Sequence, residues 1–386
     1  MATLAPPRVS SLDIIKGLVM VLMTLDHVRD YTHADAFLFD PTDPEHTTWP
    51  IFLTRWITHF CAPTFSLLAG TSAWFVGRRK GPTELSSFLL KRGLWLLVME
   101  LTIVNFGWFF DPGFHTVLLI TIWSLGVSMM VLAGLSRLPR RVNVILCLAL
   151  IFGHNLLDAW PGALPGLHDA LLAPLSADRT LFIGYPLIPW IGVMGLGYAM
   201  GPWYAPQVAP VERRKWLLWT GLSACALFLL VTGLNVYGDP TPWKQYDSLS
   251  QTAMSFLNRQ KYPPSLQYLL MTLGPALVGL AAAERLRGPV ASFLTTFGRV
   301  PFFFYILHLY VLHALAMVLA EVTGFGWDSM ILHQFVSFEA GLQGYGFSLG
   351  AVYGFWVLVV AACYPLCAWF DGYKQRHREQ WWVSYL

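Results

Sequence analysis

Long apolar runs separated by short polar joints recur about ten times along the chain. A helix rises about 1.5 Å per residue, so runs of about twenty residues match the roughly 30 Å core of a bilayer. They lie near 12–31, 50–77, 87–110, 114–136, 141–159, 181–203, 215–236, 264–284, 293–320 and 345–370. This pattern predicts an all-α, polytopic transmembrane bundle in one domain covering 1–386. The first run, Ser11 to Tyr31, organises the rest. Its polar entry (Ser10, Ser11, Asp13) offers oxygens that can cap a helix N-terminus. It is apolar from Leu18 to Leu25 and closes on Asp26-His27-Val28-Arg29-Asp30. Ionisable groups at that depth cost a few kcal/mol and usually face a cavity.

The joints alternate in charge. Arg78, Arg79, Lys80, Lys91 and Arg92 fall in one, then Arg137, Arg140 and Arg141, then Arg213, Arg214 and Lys215, then Arg285 and Arg287. Lys374, Arg376 and Arg378 follow in the tail. The joints between them are acidic, with Asp30, Asp35, Asp40, Asp43 and Glu45 in the first. By the positive-inside rule both termini are cytoplasmic and the acidic loops lie outside. An even number of crossings requires the same.

Composition agrees. Of 386 residues, 55% are hydrophobic and only 12% charged, about half the charge of a soluble domain. The net charge of +3 identifies no partner, and no nucleic acid is expected. The five cysteines, Cys61, Cys147, Cys225, Cys363 and Cys367, all fall inside apolar runs, so no disulfide framework is implied. The leading MATLAPPRVSS is too short and polar for a signal peptide. The outer loops at 31–49, 160–180 and 237–263 are long and rich in Pro, Asp, Trp and Tyr, as loops that cover a site tend to be.

Histidines at membrane depth are the main chemical signal. His27 closes the first helix, His59 sits in the second, and His308 and His313 in the ninth. A neutral imidazole stays buried by donating at one nitrogen and accepting at the other. One such residue reads as structural; four at matching depths beside Asp26, Arg29 and Arg55 predict a polar cavity open to the outside. Asp26 and His27 point about 100° apart on a helix, so Asp26 should meet another helix, at His59 or Arg55. Arg29, three residues on, can instead pair with Asp26 locally. Glu100 in the third run needs a partner or a proton, and Tyr185-Pro186-Leu187-Ile188-Pro189-Trp190 should kink the sixth. No paired-histidine spacing falls on one helix face, so no metal is expected.

Lys16-Gly17, nine residues, then His27 resembles the Arg-Gly…His signature of membrane acyltransferases. With RWITHFCAPTFSLLAGTSAWF, YPLIPWIGVMGLGYAMG and FGRVPFFFYILHLYVLH, it makes nearly the whole chain similar to the bacterial DUF1624 proteins. These in turn resemble the catalytic domain of heparan-α-glucosaminide N-acetyltransferase and, more distantly, YeiB-type and acyltransferase-3 proteins. The resemblance implies transfer of an acetyl or longer acyl group from cytosolic acetyl-CoA (acyl-CoA) to an outer-face acceptor, a sugar or amino sugar. It places His27 at the functional histidine, or where the lysosomal relative carries Asn. Lys16 stands where the signature has Arg, keeping the charge and losing the bidentate fork. His46-Thr47-Thr48-Trp49 echoes a luminal His and Trp of the lysosomal enzyme.

The chemistry needs a base and oxyanion donors. His27 or His59 is the expected base, with Asp26 orienting it and His308 as a further catalytic candidate. Lys16, Arg55 and Arg299 are the donor-binding candidates. Arg29, His46, Trp49, His313, Tyr185 and Trp190 are the acceptor-binding ones. The implied site is a bacterial inner membrane, and a homodimer is compatible with such a bundle. The competing class is a transporter or sensor with a histidine-lined cavity.

Overall fold

Proline decides where several apolar runs break, and the breaks carry much of the architecture. The computed structural model describes residues 10–377 and 379–386. The leader and Arg378 of the basic tail lie outside them. The helices are α1 (Ser10–Thr32), α2 (Trp49–Thr58), α3 (Cys61–Lys80), α4 (Pro82–Met99), α5 (Asn105–Phe109), α6 (Thr121–Leu135) and α7 (Arg140–Gly153). They continue with α8 (Ile188–Met200), α9 (Pro210–Leu234), α10 (Leu249–Leu257), α11 (Leu266–Ala283), α12 (Pro289–Arg299), α13 (Pro301–Val322) and α14 (Leu349–Arg376).

Six segments among the described residues are long and apolar enough to cross a membrane. They are Trp49–Lys80, Arg140–Ala159, Pro210–Leu234, Leu266–Ala283, Pro301–Val322 and Leu349–Arg376. Helix α6 is apolar but shorter. Helix α1, interrupted by Asp13, Lys16, Asp26, Arg29 and Asp30, is not in that set. It is instead the helix the others surround, packing on α2, α3, α11, α12, α13 and α14. Two apolar cores meet on it. Val19, Met23, Leu25 and Val28 join the α13–α14 core, while Leu12, Ile14 and Ile15 join the α3–α11 core.

The second run is two helices. Pro63 has no N–H to give to the carbonyl of His59, so the helical ladder breaks there. The freed His59 oxygen accepts from the Tyr268 hydroxyl at 2.8 Å. The 293–320 run is also two helices, parted at Val300 (φ −128°, ψ 47°), which the ring of Pro301 keeps out of the helical region. In the 87–110 run, α4 passes through a wider π-helical turn, Glu100–Val104, before α5.

A three-stranded sheet departs from the all-α expectation: β1 (Thr116–Leu119), β2 (Leu171–Pro174) and β3 (Thr180–Ile183), in the order β1-β3-β2. Strand β1 runs parallel to β3, and β2 antiparallel. Short apolar strands of this kind carry no period that separates them from helix. The sheet also corrects the kinked sixth helix: 180–183 is strand, and α8 begins at Ile188, after Pro186. Glu100 and Asn105 serve this region. Glu100 Oε1 accepts from the Ile120 amide at 2.7 Å. Asn105 donates to the Thr116 carbonyl and accepts from the Leu118 amide, both at 3.0 Å.

Loops from distant parts of the chain lock over the C-terminal end of α1. Trp49 Nε1 donates to Ser250 Oγ at 2.6 Å, Gln251 to the Pro44 carbonyl at 3.1 Å, and Asn258 to the Thr42 carbonyl at 2.9 Å. The Phe347 amide donates to the Thr32 carbonyl at 2.8 Å. At the other end, Ser11 donates to Glu284 at 2.9 Å, and Arg213 grips the same carboxylate at 2.5 Å.

Candidate functional site

The last two turns of α1 put acid, imidazole and guanidinium side by side inside protein. Arg55 Nη1, from α2, donates to both Asp26 oxygens at 2.7 and 2.5 Å. Arg29 Nη2 lies 3.1 Å from Asp26 and 2.5 Å from Asp30. Both sequence readings of Asp26 are therefore realised at once, one partner on another helix and one three residues along. Its close contacts are with the two arginines, while it still acts electrostatically on His27 and His59. Two arginines and two aspartates close a chain with no charge left over, the arrangement a buried ionic group requires.

His27, on the other face of α1, pairs with His308 of α13. Nδ1 of His27 lies 2.8 Å from Nε2 of His308. The other His308 nitrogen, Nδ1, is 2.9 Å from the Phe304 carbonyl, one helical turn back. A carbonyl only accepts, so His308 Nδ1 carries the hydrogen, and with both rings neutral its Nε2 accepts. His27 Nδ1 must then donate, and its lone pair is at Nε2. The edge of Trp108 packs on His27 at 4.8 Å, with Tyr305 at 6.4 Å. His308 is wholly buried, whereas His27 retains 8% exposure.

His59 stands at the break between α2 and α3, its ring 5.4 Å from Tyr268. Its Nδ1 is buried without a hydrogen-bond partner among the described residues. Lys261 is the residue that sequence reasoning missed. It is close enough to act electrostatically on Asp26, His27 and His59. Its ammonium sits 5.2 Å from the Tyr262 ring. Tyr262 packs edge-on against Tyr185, which stacks on Trp190, both contacts at 5.4 Å. The signal was present in Lys261-Tyr262-Pro263-Pro264-Ser265, which reads as an ordinary helix entry. Ser265 is the cap, accepting from the Tyr268 amide at 3.0 Å, and the two prolines precede the helix.

Other candidates lie elsewhere. Lys16 donates to Ser72 of α3 at 2.8 Å, and Arg299 pairs with Asp371 at 3.3 Å. Arg55, a donor-binding candidate, is occupied by Asp26. His313 is buried, with its nitrogens 3.0 Å from the Gly107 carbonyl and 2.7 Å from that of Met330, and Phe110 stacks on it at 3.9 Å. These contacts tie α13 to the segments that carry Gly107 and Met330. Trp49 likewise pins loop to loop. His46 is held by Asp43 at 2.6 Å on the loop surface, with 62% of its side chain exposed.

The profile of a family described as heparan-alpha-glucosaminide N-acetyltransferase, catalytic, matches residues 8–237. That stretch holds Asp26, His27, Arg55 and His59, while Lys261 and His308 lie beyond it. No curated protein matches the chain.

Proposed function

The chain belongs to the heparan-alpha-glucosaminide N-acetyltransferase catalytic family, and from that premise we propose that it carries acetyl groups from cytosolic acetyl-CoA to a sugar or amino sugar at the outer face of a bacterial inner membrane. In this reading the chain crosses the bilayer ten times with both termini inside. Donor phosphates meet the basic end, where Lys16 and Arg299 lie. That end also offers a cavity of about 430 Å³ lined by Trp74, Arg78, Tyr198 and Gln207 among others.

The observation that carries the proposal is the His27–His308 pair. Nε2 of His27 takes the proton from the acceptor hydroxyl or amine as its oxygen or nitrogen attacks the thioester carbonyl. The new C–O or C–N bond forms, the C–S bond breaks, and the sulfur leaves as the thiol of CoA, taking the proton back from His27. His308 accepts from His27 Nδ1 throughout, so it fixes the tautomer and steadies the imidazolium while it exists. This is the part a carboxylate plays beside other catalytic histidines. Lys261, with no carboxylate paired to it among the described residues, gives the mouth of the site a positive edge. Tyr185, Trp190 and Tyr262 supply flat apolar faces beside it, which suit a sugar ring.

The test is transfer from radiolabelled acetyl-CoA to a panel of hexosamines by the purified, reconstituted protein. His27→Ala should lower the rate by about 10²–10⁴-fold, the usual worth of a positioned base. Label trapped on the wild-type protein without acceptor would mark a two-step path through acetyl-His27. Absence of CoA binding, or full transfer by folded His27→Ala and His308→Ala proteins, would sink the reading. Concentrative uptake of a solute without transfer would put the transporter in its place.

A further inference from the structure

Outside the site just described, one cluster of ligating side chains has no task. Asp111 and His115 lie in the turn between α5 and β1, and His333 comes from the loop between α13 and α14. One oxygen of Asp111 and one nitrogen from each imidazole lie within 4.8 Å of one another. The Asp111 carboxylate is buried and aimed by the turn itself. It accepts from the amides of Gly113 at 2.9 Å and His115 at 2.7 Å, and its Oδ2 is 2.8 Å from His115 Nδ1. The turn wraps so tightly that a Cβ on Gly113 would lie 2.5 Å from the His115 ring and 3.1 Å from an Asp111 oxygen. His333 faces His115 with ring centroids 4.2 Å apart. Its ring has no hydrogen bond or ion pair among the described residues. The two segments are held in register without it. Thr116 Oγ1 donates to the His333 carbonyl at 2.6 Å, and the Leu332 amide donates to the Phe109 carbonyl at 2.8 Å.

We propose that Asp111, His115 and His333 bind a divalent transition-metal ion, with zinc the best-suited, at the end of the bundle where α1 closes. Two imidazole nitrogens and a carboxylate oxygen are a donor set zinc favours, with water completing the coordination. Ligand atoms around tetrahedral zinc stand about 3.3 Å apart, so side-chain movements on the order of 1 Å would close the site. Binding displaces the proton shared by His115 and Asp111, because the metal takes its place. No electron transfer is involved, and the ion serves as a clamp. Its reach extends to the histidine pair: Phe335, two residues past His333, packs on Trp108 at 5.7 Å, and Trp108 lies against His27. The spacing escapes a search for paired histidines on one helix, because two ligands sit in a turn and the third is far along the chain.

The test is titration of tag-free, chelator-stripped full-length protein with zinc chloride by calorimetry, together with cobalt(II) to read the coordination in its visible spectrum. One equivalent of zinc should bind, cobalt should give the intense bands of a four-coordinate site, and zinc should raise the melting temperature. His333→Ala, a surface change, should leave the metal-free melting temperature where it was, weaken zinc binding at least about tenfold, and abolish the cobalt bands. Asp111→Asn should do the same to the metal, and because its amide can accept only one of the two backbone bonds its metal-free melting temperature should fall. Wild-type protein that binds no more zinc than the His333→Ala protein would overturn the proposal. So would a cobalt spectrum that the variants leave unchanged.

Discussion

The two halves of α1 are one continuous helix under two different demands. In the half that begins at Ser11, the neighbours come as close as backbones can. A Cβ on Gly17 would lie 1.8 Å from the Leu294 carbonyl oxygen, and one on Gly298 would lie 1.8 Å from that of Asp13. In the half that ends at Thr32, α1 carries charged and ring side chains, and the neighbours stand off to receive them: Arg55 at Asp26, His308 at His27, and Trp108 against the imidazole. Small residues at helix contacts let van der Waals packing hold a bundle that gains little from hydrophobicity in lipid. The comparison teaches that the Lys16-Gly17…His27 spacing joins two jobs. The glycine sets how α12 seats on α1, and the histidine, nearly three turns on, inherits that placement.

The strongest way to break the comparison is to fill the close contact. Gly17→Val puts side-chain atoms where a backbone carbonyl already is, and backbone cannot yield as a side chain can. The expected cost exceeds about 4 kcal/mol, in the range that only a few mechanisms reach. Folded, monodisperse protein should be lost in size-exclusion chromatography. Survival of Gly17→Val with unchanged melting would show that the α1–α12 contact is looser than described.

The other half should respond in activity and not in folding. His27→Ala and His308→Ala should each cut transfer, with His308→Ala the milder because its ring does not touch the acceptor. Melting should move by far less than for Gly17→Val. A single-turnover rate for each variant separates the base from its support. Equal losses, with the double variant no worse than either single, would show the pair acting as one unit.

Asp26→Asn sharpens the picture by removing charge without volume. It leaves Arg29 and Arg55 with only Asp30 for balance, and breaking a buried pair by deleting one partner costs about 3–5 kcal/mol. Residual water at Asp26, which retains 8% exposure, puts the expectation at the lower end, about 3 kcal/mol. The check is chemical denaturation of Asp26→Asn, Arg55→Gln and the double variant. A double variant no less stable than either single one means that the pair acts mainly on itself.

Much of this was legible in the sequence, in proportion to how far each feature depends on local chemistry. The helices were legible because burial in lipid is written in every residue of a run. That Asp26 meets another helix followed from helix geometry, which left His59 and Arg55 as partners; the contact is with Arg55. The breaks at His59 and Val300 were less so, because an apolar run continues through Pro63 and Pro301 even though the hydrogen-bond ladder does not. Strand β1 hid in an apolar run of four residues, and its partners Glu100 and Asn105 consequently looked like stray polar groups. The His27–His308 pair and Lys261 were out of reach in a different way: which helix faces which is set by contacts such as Gly17 on Leu294, spread over the whole chain. Lys16 and Arg299 carried the right charge, but their reach is toward Ser72 and Asp371, which periodicity does not disclose.

The smallest expected effect lies outside both halves of α1, at the loop pair His46–Asp43, and it bounds the contrast between buried and exposed charge. The hydrogen bond from His46 to Asp43 raises the imidazole above its ordinary pKa. Asp43 is held below the usual carboxylate value, where bonds from the Glu45 amide and His46 outweigh its partial burial. The signs set a window. The histidine's share is fully present below its unfolded pKa and is lost as pH rises through the raised folded value. The aspartate's share is present above its unfolded pKa and is lost as pH falls through the lowered folded one. The pair therefore contributes most between the two and fades on either side, yet with His46 open to water and to salt its contribution is slight. NMR titration of the His46 ring should give a midpoint above that of a free histidine, and Asp43→Asn should return it to the ordinary value. His46→Ala should leave melting and transfer unchanged at every pH. A marked loss of transfer in that variant would move His46 from the loop surface into the acceptor site, and would redraw the comparison from the C-terminal end of α1.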